Sequence, residues 1–438
     1  MKVLHTADWH FREKDFDEIF KCVSFIADKA IEEKPDLICI SGDMTDSRLL
    51  NLDSRSARAI LGIGQSMLDI APVAIVIGTP SHDGHAALAL RECRGKYPIL
   101  VSDMPGQYIY SEKEWTSIND PDGPKSDPEF IITQIPQPTK QYFINDLSIE
   151  DTEKAIGNAM GNMFAGFGII AAKFEVPHIA NGHGQVGGAF ISETQQLIGL
   201  DIEVSKAQLK TLNADLICYG HIHKSQDMGD GIFYSGSPTR MNHGETEDKG
   251  FYVHNVDVTD GEHPDYCNSE FIKTPARQMI GIKSDYTNDS ESIPLQKYID
   301  SMDSMDDDLY NGCHVKFELK GWQDDLSNIS QDQIKKKFYD AGADHVIVNL
   351  IRVPRETVRA EKVLEAETLP DKIKAMAELR GEKVSSGIID KAKSIEAGEQ
   401  SPWIQEIKKT LHDTIGNIKK NIDHHPVIQQ MLDRNDRL

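Results

Sequence analysis

Apolar and polar positions alternate in two rhythms over roughly the first 260 residues. Short runs rich in β-branched residues, Val3 to Thr6, Leu37 to Ser41, Val73 to Ile77, Phe130 to Gln134, His178 to Asn181 and Leu216 to Tyr219, predict strands. Between the first two, Phe16, Ile19, Phe20, Val23, Ile26 and Ala27 recur at helical spacing, which predicts an amphipathic helix packed on the sheet. Strands alternating with helix-period segments are the pattern of a layered α/β architecture. Glu112 to Asp127, crowded with Pro, Gly, Asp, Asn and Ser, reads as an exposed loop or a hairpin insertion. Tyr234 to Arg240 and Phe251 to Val258 read as further strands, with the first domain closing near Lys273 to Arg277.

The rhythm then changes. Ile280 to Lys283, Pro294 to Met302, His314 to Leu319, Ser330 to Ala341 and His345 to Val353 predict strand, helix, strand, helix, strand, a small α+β domain. Beyond Pro354 the chain is polar and helical. Trp403, Ile404, Ile407, Leu411, Ile415, Ile418 and Ile422 fall mostly three or four apart, a narrow apolar seam that calls for a covering surface, either another chain or this one.

Composition narrows the function. With 438 residues, more than one core is expected, and no run approaches the ~20 apolar residues that span a bilayer. The first residues lead straight into a strand pattern without a secretory signal, so a cytoplasmic protein is expected. The six cysteines, Cys22, Cys39, Cys93, Cys218, Cys267 and Cys313, form no CxxC pair and read as reduced, buried thiols. A net charge of −23 argues against coating nucleic acid by bulk electrostatics. Positive charge must be local, or borrowed from bound cations.

Candidate chemistry clusters behind the strands. Asp8 and His10 follow the first strand, two residues apart and so pointing the same way. Gly42-Asp43 follows the second, and Gly78-Thr79-Pro80-Ser81-His82-Asp83 the third. Gly182-His183 and Gly220-His221-Ile222-His223 follow two later ones. Any one of these motifs is weak; together they predict loops converging beyond the carboxyl ends of the strands, where α/β sheets bind ligands. Mixed Asp and His ligation without Cys suits manganese, iron, zinc or magnesium, and two such ions clamp a phosphate and neutralise its developing charge. Asp43 is the natural bridging carboxylate. His5, His178, His85, His424 and His425 lie apart from this set and read as packing or surface residues.

These five motifs resemble those of the calcineurin-like metallophosphoesterases. Within that superfamily, Ser235-Gly236-Ser237-Pro238, Glu245 and Lys249-Gly250-Phe251 resemble the SbcD branch of DNA repair nucleases. The resemblance implies an α/β fold: a layered β-sandwich core flanked by helices over 1–275, an α+β capping domain over 276–353, and a helical C-terminal tail over 354–438 that binds an ATPase partner. It implies one metal held by Asp8, His10, Asp43 and His223, and a second by Asp43, His183 and His221. His82 would contact the scissile phosphate and help the leaving oxygen take a proton. Ser81 stands where the family has a metal-ligating Asn, and Asp46 where SbcD-like nucleases often carry a histidine near the phosphate. The implied cofactors are two Mn2+, with Mg2+ or another divalent ion possible. The implied activity is exonuclease and endonuclease cleavage at DNA ends in repair, recombination or replication, by a homodimer working with an SbcC-like coiled-coil ATPase. A cyclic-nucleotide phosphodiesterase shares every ligand, and a weakly catalytic DNA-end-binding scaffold fits the Ser81 and Asp46 departures.

Overall fold

The computed structural model describes all residues except 49, 50, 52, 84, 85, 139–148, 193, 194, 196–201, 258–266, 288–293, 303–308, 355–362, 364, 399–401, 403, 404 and 414–438. His85, Trp403, Ile404, Ile415, Ile418, Ile422, His424 and His425 therefore lie outside the described residues. The chain divides into two units, Met1–Val353 and Pro354–Leu438.

In chain order the strands of the larger core are β1 (Lys2–Thr6), β2 (Leu37–Ile40), β3 (Val73–Val76), β4 (Ile99–Ser102), β5 (Gly106–Ser111), β6 (Glu114–Ser117), β7 (Phe130–Ile135), β8 (His178–His183), β9 (Gln185–Val186), β10 (Glu203–Val204), β11 (Leu216–Gly220), β12 (Gln226–Asp227), β13 (Ile232–Tyr234), β14 (Gly250–Val256) and β15 (Cys267–Lys273). One sheet runs β15-β14-β1-β2-β3-β4 and a second runs β12-β13-β11-β8-β7-β5-β6; β9 and β10 pair separately. β1 to β4 are mutually parallel, as are β7, β8, β11 and β13. Their carboxyl ends therefore open on one side of each sheet.

Strand alternation sorts the side chains into layers. Val3, Leu37, Cys39 and Ala74 face the second sheet and meet Ile132, Ile179, Leu216, Cys218 and Phe233. Leu4, Ile38, Ile40 and Ile75 face outward onto α1 (Phe16–Glu33) and α2 (Arg55–Met67). The outer face of the second sheet, Ala180, Ile217 and Tyr219, is covered by Met160 and Phe164 of α3 (Ile149–Ala171) and Leu209 of α4 (Lys206–Lys210). The result is the helix-flanked sandwich expected from the motif resemblance. With both faces covered, the strands read as unbroken apolar runs, which is why they were legible without alternation.

The sequence-based expectation fails in one local respect. Ile232–Tyr234 is a strand, but residues 235–240 are not. Gly236 has φ 73°, and a Cβ there would sit 2.6 Å from the Ser225 amide nitrogen. The backbone turns at this point, so Ser237 donates its N–H to the His223 carbonyl at 3.1 Å instead of extending the sheet. Glu112 to Asp127 is a hairpin, since β6 pairs antiparallel with β5.

A three-stranded parallel sheet follows: β16 (Met279–Tyr286), β17 (His314–Trp322) and β18 (His345–Val353), joined through α5 (Leu295–Ser301) and α6 (Gln331–Asp340). Val315, Phe317 and Leu319 bury one face against Ile299, Ile334 and Phe338, while Lys316, Glu318 and Lys320 line the other. In the second unit, helices Leu369–Arg380 and Ser386–Glu396 are described. Ile407 and Leu411 lie on helical backbone and are exposed. Among the described residues no helix is long and apolar enough to cross a membrane.

Candidate metal centre

The loops after β1 and β2 run side by side. Asp8 and His10 donate their backbone N–H groups to the carbonyls of Gly42 and Asp43, and Phe11 donates to Met44, each at 3.0 Å. This ladder holds backbone that would otherwise be strained: Asp8, His10, Asp43 and His221 have φ of 53°, 48°, 51° and 101°. Non-glycine residues rarely adopt such conformations, and they gather where surrounding structure fixes a functional side chain. Gly78 leaves the room that Asp43 needs, because a Cβ there would fall 2.2 Å from the Asp43 carboxylate.

Three ligand groups result, each with its donor atoms within 4.8 Å of one another: Asp8, His10 and His223; His10, Asp43 and His82; Asp43, His183 and His221. The first sheet supplies Asp8, His10, Asp43 and His82, and the second supplies His183, His221 and His223. Asp8 ties the two together by accepting the His221 N–H on both oxygens, at 2.9 and 3.1 Å. The Nε2 atoms of His10 and His223 stand 3.1 Å apart. His183 Nε2 and His82 Nδ1 lie 3.4 and 3.1 Å from Asp43 Oδ2.

Two features of this donor set call for cations. Two imidazole nitrogens face each other at 3.1 Å, where they share one N–H···N hydrogen bond or, with both lone pairs free, converge on an ion. The second is charge. Burial disfavours charge on His183, yet the adjacent Asp43 carboxylate outweighs it and holds the ring's pKa up to about 9. Asp43 is correspondingly held well below the usual carboxylate range: burial opposes this, and His183 and His82 overcome it. A carboxylate that recruits a proton onto a buried imidazole would be served equally by a divalent ion. The residues fit the metals the motifs imply.

Groups behind the ligands fix their orientation. His183 Nδ1 lies 2.6 Å from the Ser41 carbonyl, which directs Nε2 inward. Asp83 is buried and accepts backbone N–H groups from Asp43, Gly78 and Thr45 at 2.8, 2.9 and 3.1 Å, clamping the second and third loops together. Gln195 accepts from the His223 N–H at 3.1 Å and donates to the His221 carbonyl at 2.6 Å. Asp46 is turned toward His10, with Oδ1 3.5 Å from Nδ1 and Oδ2 3.7 Å from Arg12. Burial raises its pKa but the His10 contact lowers it further, so it remains an anion beside a ligand.

Glu245 does the same for His223. Its Oε1 lies 3.3 Å from His223 Nδ1 and its Oε2 2.6 Å from Lys249 Nζ, all within the interior. Burial works against its charge, but His223 and Lys249 bring its pKa down to about 2. Carboxylate, imidazole and metal form the usual arrangement for raising ligand basicity. Glu245→Gln is expected to weaken metal binding by about 10- to 100-fold while His183 and its partners are undisturbed. Titration calorimetry on the metal-free protein checks it, and an unchanged affinity would leave Glu245 with a purely structural role.

Ser81 is exposed on the turn before His82, and its carbonyl accepts from the Arg48 N–H at 2.9 Å. The hydroxyl brought into the site is that of Thr79, whose Oγ1 lies 3.0 Å from Asp43 Oδ2 and 3.4 Å from His183 Nε2. Thr79, Asp83, Gln195 and the orienting contact of Asp46 do not stand out in the sequence. The Gly-x-x-x-His-Asp spacing holds the only signal for the first two. Among the histidines set apart, His178 is a satisfied core residue, with Nε2 2.7 Å from Thr133 Oγ1 and Nδ1 3.2 Å from the Asn213 carbonyl.

Comparison with known proteins identifies the family of the chain. The profile described as calcineurin-like phosphoesterase matches residues 1–225. The SbcD component of the SbcCD nuclease of Staphylococcus saprophyticus is 27% identical over 301 residues, covering 65% of this chain and 72% of that protein. One crystal structure matches 62% of this chain and 98% of its own at 12% identity, with a TM-score of 0.29.

Proposed function

Because the chain belongs to the calcineurin-like phosphoesterase family, we propose that it hydrolyses the phosphodiester bonds of DNA at exposed ends, in a complex with an SbcC-like coiled-coil ATPase. The observation that carries phosphoester chemistry is the pair of ligand groups meeting at Asp43. DNA as substrate is supported by the similarity to the SbcD component of the SbcCD nuclease and by the exposed apolar residues of the tail. In this reading residues 1–275 carry hydrolysis, 276–353 cap it, 354–438 engage the ATPase, and the active assembly is a cytoplasmic dimer of this chain with its partner.

Asp8, His10, Asp43 and His223 would hold one ion, and Asp43, His183 and His221 the other, with manganese as the working metal. Two such ions supply Lewis-acid stabilisation of the charge on the phosphate. The chain's own contribution is positional. His82, half-buried, is held by Asp43 at 3.1 Å; burial lowers its pKa but Asp43 and Asp46 raise it beyond that, which favours the protonated ring that would serve as an acid toward the leaving oxygen. Thr79 is the hydroxyl best placed to complete the second ion's shell, and Ser81 sits at the rim, where only a water would link it.

Manganese-loaded protein, alone and with the ATPase, should degrade linear duplex or single-stranded DNA in preference to cyclic nucleotides. A preference for the small phosphodiester would favour the other reading of the same site. Thr79→Val should weaken binding of the second ion by about 10-fold, whereas Ser81→Ala should change it by less than about 2-fold. Metal titration followed by equilibrium dialysis distinguishes them, and the reverse ranking would return the ligand role to Ser81.

A further inference from the structure

A second group of metal-competent side chains lies outside the active site, enclosed between the two sheets. His5 on β1 and Cys39 on β2 are directly paired across the parallel ladder, and His254 on β14 is paired with Val3, two residues along on the same face. Cys218 on β11 approaches from the opposite sheet. All four are fully buried, at 0% exposure. The donor atoms of His5, Cys218 and His254 lie within 4.8 Å of one another, and the Cys39 thiol is within hydrogen-bonding reach of Cys218.

What marks this cluster is polar atoms without partners. Neither ring nitrogen of His5 makes a hydrogen bond of acceptable geometry, although the Tyr219 backbone lies beside the ring, and His254 Nε2 makes none. A buried, unsatisfied imidazole nitrogen costs about 1 to 3 kcal/mol, so two adjacent rings in that state demand an explanation. The other nitrogen of His254, Nδ1, sits 2.7 Å from Ser269 Oγ. A ring anchored through one nitrogen, whose other nitrogen is unpaired and which stacks on His5 at a centroid distance of 5.7 Å, has the arrangement of a metal ligand with its outer partner.

We propose that His5, Cys218 and His254, with Cys39 as the fourth donor, form a structural site for a thiophilic ion of the zinc class, which staples the two sheets of the sandwich. Two thiols and two imidazoles in a closed position suit four-coordinate zinc, whereas manganese and magnesium disfavour thiolates and suit the sulfur-free Asp and His set of the active site better. Tetrahedral zinc with these ligands needs donor separations of about 3.3 to 3.8 Å, so binding would draw the side chains closer together. On binding, each Cys releases its thiol proton to solvent and forms a metal–sulfur bond. Burial and the neighbouring Cys39 hold the Cys218 thiol in its protonated form until then. The packing role first read for His5 is thereby extended to a ligand role.

The site is tested on the full chain by replacing bound metal with Co2+. The active-site ligands include no sulfur, so a thiolate-to-cobalt charge-transfer band is not expected from them, and its loss on Cys218→Ser separates this cluster from the other cysteines. The band is expected in the native protein, should persist in Asp43→Asn, and should vanish in Cys218→Ser. Should Cys218→Ser fail to fold, the zinc-loaded native protein decides alone: X-ray absorption should show sulfur scatterers at about 2.3 Å from zinc. Absence of the thiolate band together with a shell of nitrogen and oxygen only would overturn the proposal.

Discussion

Asp43→Asn should lower kcat for phosphodiester hydrolysis by at least ~10³-fold, a loss of about 4 kcal/mol of transition-state stabilisation. Asp43 is shared by two of the active-site ligand groups, and three imidazoles lie within 3.9 Å of its Oδ2. Asn is nearly isosteric but neutral, so the site loses the one charge common to both ions. Its amide nitrogen would also replace one of the two oxygens that now accept from Thr79, Oδ1 from the N–H and Oδ2 from the hydroxyl. The fold should tolerate the change. Asn is among the few residues at ease with the φ of 51° found here, and the backbone N–H to Asp83 is untouched. Elemental analysis should find metal occupancy sharply reduced at an unaltered melting temperature to within ~3 °C. Retained activity with retained metal would remove Asp43 from the bridging position.

His82→Ala should lower kcat by about 10²- to 10⁴-fold with metal content intact, which separates it from every ligand substitution. The ring contributes to one ligand group geometrically, through its 3.1 Å contact with Asp43, but it is half-buried where the ligands around it are enclosed. Its side chain is 32% exposed, and the carboxylates of Asp43 and Asp46 favour its protonated form. If its task is to protonate the leaving oxygen, the loss should shrink to ~10-fold on an aryl phosphodiester, whose leaving group departs without a proton. An equal loss on both substrates would mean that His82 binds or positions the phosphate rather than acting as an acid.

Legibility in the sequence followed physical cause. The central strands were visible because both faces are covered, leaving apolar runs such as Val73 to Ile77. α1 was visible because one face alone is buried. The edge strand β4, the next strand β5 and the helices α2 and α3 do not stand out: β4 is only four residues long, and α3 carries Gly157, Gly161, Gly166 and Gly168 within its span. Gly168 sits where a Cβ would meet the Thr211 carbonyl at 2.1 Å, so a residue that argues locally against helix is required by the packing. At the site, the ligands stood out because each follows a strand. Their supports did not, because Asp83, Gln195 and Thr79 act mainly through contacts with residues 26 or more positions away, which no local pattern records. Asp46 shows the limit most clearly. As a residue type it looked hostile to a phosphate, and only its orientation toward His10 makes it useful.

The position of β1 between β2 and β14 has a consequence for a chain under synthesis. β1 carries Asp8 and His10 at its end, but one of its edges is closed only when β14 pairs with it, Lys2 opposite Asn255 and His5 opposite Tyr252. The residues that bring Glu245 and Lys249 behind His223 arrive just before that strand. A growing polypeptide thus displays every metal ligand some 30 residues before the sheet that aligns them can close. The metal centre stays unassembled until roughly 255 residues have left the ribosome, so a chain cut short before β14 is expected to lack phosphoesterase activity.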